Sequence, residues 1–226
     1  AVSQSIASAA REAGASLHTN AKVAKILIEN EKATGVVLEN GRVLKSKVVL
    51  SNATPHITFL RLLDRKEVPQ EYRRHVEHLD TTSPVCKINL SMHRLPNFLA
   101  CPHVGNEPGP QHRGTIHFVE NCDQIESAYK DALGGIPSKR PVIEMTIPSS
   151  LDSTLAPPGK HVASLFVQYA PYNIPGGWTR GAREDFAKTC FGLIEEYAPG
   201  FTASLLHYEL LAPPDLERVF GLTGGR

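Results

Sequence analysis

Lys87 is the side chain with the most chemistry to offer. In the run PVCKINLSMH, Cys86, Ile88, Leu90 and Met92 alternate with Lys87, Asn89, Ser91 and His93, a period of two that predicts a strand with one apolar and one polar face. If the polar face is enclosed, a lysine on so rigid an element needs a carboxylate, a water network or a cofactor to stay satisfied. If the face is wet, as one face of an antiparallel sheet commonly is, the same lysine is a solvated cation. Both readings stand at this point. Cys101, His103, His112 and His117 are all of zinc-ligating types and fall within 17 residues. Their spacing matches neither HExxH nor a paired Cys/His knuckle, and the four prolines between Leu95 and Gly114 make the segment a long loop, so no metal is expected. The cysteines at 86, 101, 122 and 190 form no CxxC pair, and no GxSxG elbow is present. They read as free thiols of a reducing compartment. Neither GxGxxG nor GxxxxGK[ST] occurs, and the Gly176-Gly177 and Gly224-Gly225 pairs read as turns.

The elements that must position these residues fall into two regions. All 17 prolines lie between Pro55 and Pro214, which places a domain boundary near Thr54 and divides the chain into 1–54 and 55–226. The first region predicts a helix from Val2, Ile6, Ala9, Ala10 and Ala13, stopped by a left-handed Gly14. Short strands follow at ASLHTN, VAKILIE, TGVVLE, RVLKS and VVLSN, with Asn40-Gly41 as a type I′ hairpin signal. The second region mixes strands at 84–93, RGTIHFV, PVIEMTI and HVASLFVQY with helices around Val68–Leu79, Ile125–Ala132 and Phe186–Tyr197. That irregular order predicts α+β rather than repeated βαβ units.

Composition excludes several classes. With 24 Lys+Arg against 23 Asp+Glu and no one-sided basic stretch, a nucleic-acid surface is not expected. No apolar run approaches the roughly 18 residues of a spanning helix. The chain opens at Ala1 inside an apolar pattern and closes on GLTGGR, so it is expected to be an internal piece of a longer protein.

The run from Ser3 to Pro55 resembles phytoene-dehydrogenase-like and amine-oxidase-like flavoproteins in its order of helix, Gly-Ala break, strand, Asn-Gly hairpin and small-polar-Pro corner. PVCKINLSMHRLPNFLA, RPVIEMTIPSSLDSTLAPPGKHVASLFVQYAPY and PPDLERVFGLTGG extend the resemblance over essentially the whole chain. It implies part of an FAD-binding domain, a helix with a small β-meander, followed by a substrate domain of mixed or antiparallel sheet and helices. It also implies an FAD-dependent oxidoreductase that removes a hydride from a C–H or C–N bond of a hydrophobic small molecule. The family's GxGxxG and its C-terminal flavin segment would lie outside these 226 residues, which alone are therefore not expected to hold FAD. By the same resemblance, the backbone of Val23 would meet the adenine, although a plain core valine fits that position too. Ser51, Asn52 and Ala53 would form a corner beside the dinucleotide, and Lys87 would hold a water against the flavin N5. The mitochondrial matrix is the implied location. A non-catalytic interaction or regulatory module on the same fold is the alternative.

Overall fold

The computed structural model describes residues 2–103, 105 and 107–225. Its chain divides into two compact units, Ala1–Leu79 and Asp80–Arg226. In the first, helix α1 (Val2–Glu12) ends at Gly14, whose φ of 89° is the left-handed stop expected there. A three-stranded antiparallel meander follows, β1 (Val23–Glu29), β2 (Lys32–Leu38) and β3 (Val43–Lys45). The type I′ geometry falls at the β1–β2 connection, where Asn30 and Glu31 have φ of 50° and 62°. At Asn40-Gly41 only the glycine has a positive φ, and the Gly41 N–H donates to Leu38 O, so that connection is a turn closed by a left-handed glycine. Neither 15–20 nor 48–52 is a strand: both carry strand-forming residues but find no partner to pair with. The compositional shift at Thr54 lies inside this unit. Residues beyond it fold back, with the Ile26 N–H donating to Leu62 O at 2.8 Å and helix α2 (Gln70–Glu77) placing Tyr72 edge-on to Phe59.

The second unit is built on a five-stranded, wholly antiparallel sheet in the order β5 (Ile116–Phe118), β6 (Val142–Thr146), β7 (His161–Gln168), β4 (Val85–Met92), β8 (Leu205–Leu211). Alternation decides which face is buried. Cys86, Ile88, Leu90 and Met92 join Leu165, Val167, Ile143 and Met145 in one core, closed by Phe186, Cys190, Phe191 and Ile194 of helix α4 (Arg180–Tyr197). Helix α3 (Cys122–Leu133) is capped by Asn121 and stops at Gly134-Gly135 as its sequence predicts. Strand β8 and helix α6 (Pro213–Phe220), which follow the short turn α5 (Phe201–Ser204), have no counterpart in the sequence reading. Among the described residues no helix is long and apolar enough to cross a membrane.

Candidate functional site

After β3 the chain runs irregularly to Ala53 and enters a π-type turn, His56–Arg61. Ser51 and Ala53 line an open groove of about 460 Å³ together with Ile26 and Ile28 of β1 and with Phe59 and Leu63. The Ser51 and Thr58 hydroxyls are hydrogen-bonded at 2.8 Å, which fixes the corner against the turn. Asn52 lies between the two lining residues and is exposed. Val23 is half-buried at the start of β1, opposite Leu38, and does not line the groove. The walls are apolar with two small hydroxyls, and no lysine or arginine contributes to them. Such a surface fits the flat, uncharged part of a flavin dinucleotide; its phosphates would need donors elsewhere.

In the other unit, Lys87 points away from the core, as the alternation of β4 requires. It is half-buried, and no hydrogen bond or ion pair to its ammonium is found among the described residues. Burial pulls its pKa below the ordinary lysine value, because a partly desolvated ammonium loses hydration that nothing replaces. The cause is visible in the register: Phe166 of β7 and Leu211 of β8 stand directly beside Lys87 on either side. Two strands of the unit's sheet thus hold a cation between apolar side chains. Further along the same face, Ser164 donates to Asn89 at 3.1 Å, a cross-strand pair that fixes the polar row. A cation so placed can attract a water or an electron-rich group from a bound molecule.

The histidines of the long loop are spoken for locally. His112 is buried, with Nδ1 accepting from the Gly109 N–H at 3.0 Å and Nε2 donating to Pro96 O at 2.8 Å. That fixes a neutral tautomer with no lone pair left for a metal. His117 is exposed on β5, and no group of three ligating side chains exists among the described residues. Cys86 and Cys190 are buried, and burial first of all pushes both thiols up, out of the reactive range. Asp215 anchors the start of α6. Burial alone would raise its carboxyl, but Arg183, the Ala212 N–H and Arg218 outweigh it and hold it below the usual value.

Comparison with known proteins shows the family to which the chain belongs. The family described as flavin containing amine oxidoreductase matches residues 1–131. Over its whole length the chain is 47% identical to the mouse pyridine nucleotide-disulfide oxidoreductase domain-containing protein 2, of which it spans 40%. It is 31% identical to prolycopene isomerase 2 of an Oncidium hybrid over 77% of the chain and 26% of that protein. Phytoene desaturase of Cereibacter sphaeroides is 27% identical over 88% of the chain and 37% of its own length. An oxidoreductase from Methanosarcina mazei shares the fold, with a TM-score of 0.57 at 23% identity over 89% of this chain and 39% of that one. The matched segment contains the meander, the Ser51–Ala53 corner and Lys87, and the chain belongs to the flavin-containing amine oxidoreductase family, whose cofactor is a flavin.

Proposed function

We propose that this chain forms the substrate-facing part of an FAD-dependent oxidoreductase that removes a hydride from a C–H or C–N bond of an apolar small molecule. The flavin, when bound, accepts the two electrons and later passes them to an acceptor. Lys87 carries the reading: it is a half-buried ammonium, with no carboxylate partner among the described residues, on the face of the antiparallel sheet opposite the core. It orients a water at the reaction centre and stabilises negative charge that appears there. The corner at Ser51, Asn52 and Ala53 admits close approach of the dinucleotide because its side chains are small, and the backbone of Val23 borders the adenine. The apolar flanks Phe166 and Leu211 limit water around the reacting bond.

Anaerobic stopped-flow absorbance on the flavin-loaded holoenzyme tests this reading. Lys87→Met preserves the length of the side chain and removes its charge. It is expected to slow flavin reduction or reoxidation by about tenfold or more, the scale of losing one preorganised electrostatic group. Both half-reactions remaining within about twofold of wild type, below roughly 0.5 kcal/mol of transition-state stabilisation, would reduce Lys87 to a surface cation.

A further inference from the structure

The strand register places five side chains in one row across the face of the second unit's sheet opposite its core. His117 of β5 faces Glu144 of β6, Glu144 faces Phe166 of β7, Phe166 faces Lys87 of β4, and Lys87 faces Leu211 of β8. The row therefore holds a carboxylate and an ammonium two strands apart with an aromatic ring between them. Phe166 is 38% exposed, although a ring buried in a core would contribute more to stability. Its place in the row gives a reason for it.

We propose that Phe166 is a positioning residue: standing between Lys87 and Glu144, it keeps the ammonium from pairing with that carboxylate and so leaves it available to a bound molecule. Directly opposite residues on adjacent antiparallel strands have Cβ atoms about 5 Å apart, so two strand spacings separate Lys87 from Glu144 by about 10 Å. The direct line between the lysine and the glutamate crosses the place the ring occupies. The remaining neighbours of Lys87 in the register include one charged group. On β7 its diagonal neighbours are Ser164 and Gln168, both uncharged, and on its own strand Val85 and Asn89. On β8 the diagonal neighbour is Glu209, which is exposed and makes no ion pair among the described residues. Burial is the cause that lowers the Lys87 pKa, in keeping with an ammonium shielded on both sides by apolar groups.

The inference rests on Lys87 being the cation of the proposed site, but its test reads the lysine itself and needs no turnover. Competitive acetylation of the protein with acetic anhydride across pH, resolved by peptide mass spectrometry, gives the titration of Lys87 alone. In Phe166→Ala the midpoint is expected to rise by about one unit, as an acquired carboxylate neighbour requires. In the double variant Phe166→Ala/Glu144→Gln it is expected to return to the wild-type value. Glu144→Gln alone is expected to leave it unchanged, because the ring already separates the pair. Melting curves check folding, and Phe166→Thr, which retains strand propensity, replaces the alanine variant if that one does not fold. An unchanged Lys87 midpoint in the truncation variant, or a double variant that stays high, overturns the proposal. So does a shift in Glu144→Gln alone. If flavin turnover proves insensitive to Lys87 while these shifts occur, the functional reading fails and the separation by Phe166 stands.

Discussion

At the residue scale, His161 shows what the second unit gives up to keep its sheet in register. It opens β7 opposite Met92, it is 7% exposed, and both ring nitrogens are buried without a hydrogen-bond partner among the described residues. Burial depresses its pKa below 6.5, and burial does the same to His112. In the unfolded chain both rings titrate near the ordinary value. Above about pH 7 both states are therefore neutral and stability is complete. As pH falls through about 6.5 the unfolded state takes up protons that the folded state refuses, and stability is lost until the depressed folded values are reached. Each unit of depression is worth about 1.4 kcal/mol. Thermal melts from pH 7.5 to 5 are expected to show a falling Tm, with a shallower slope in His161→Leu. At pH 7.5 that variant is expected to lie within about 1 kcal/mol of wild type, since it removes two unsatisfied nitrogens as it alters the packing. An identical slope in the variant would mean that His161 is solvated in the folded state.

At the element scale, helix α4 shows how local signals and the core cooperate. Phe186, Cys190, Leu193 and Tyr197 recur at helical spacing, and all but the partly covered Tyr197 are buried against the sheet. The Thr179 hydroxyl accepts from the Ala182 N–H at 3.2 Å and closes the first turn. Thr179→Ala is expected to cost about 1 kcal/mol of unfolding free energy in a denaturant titration, with the m-value unchanged. No measurable loss would show that the first turn of α4 is held by packing alone. Elements with such periodicity, β4, β6, β7, α3 and α4, are legible in the sequence for this reason. Strand β8 is not: Leu205, Leu206, Leu210 and Leu211 do not alternate, and a register irregularity against Ser91 and Met92 breaks the period. Its absence from the sequence reading also hides Leu211 as a neighbour of Lys87. The segment 48–52 errs the other way, since β-branched residues favour a strand only where a neighbouring strand offers its hydrogen bonds. Lys87 itself is readable from the alternation of β4, whereas Phe166 beside it depends on a pairing between segments about eighty residues apart, which no local pattern encodes.

At the scale of the whole molecule, the two units carry different parts of the account. The first buries few apolar side chains, among them Ile26, Leu38, Val68 and Val76, and leaves Val2, Ile6, Val48 and Leu50 open. It offers a shallow apolar groove beside the Ser51–Ala53 corner. The second has a continuous core under one face of its sheet and presents Lys87 on the other. Family membership supplies the flavin, and the chain spans 40% of the mouse relative. The boundary between units is the least legible feature, because the proline shift at Thr54 marks a change in turn chemistry while residues up to Leu79 still belong to the first unit, with Leu62 bonded to the meander. On the proposed function, the face of the β4 sheet that carries Lys87 looks onto the flavin. A crystal structure of the flavin-loaded holoenzyme measures this directly. The account predicts the Lys87 Nζ within one bridging water of the flavin ring, with Phe166 between it and Glu144. A flavin ring lying elsewhere, with Lys87 open to bulk solvent, would contradict it.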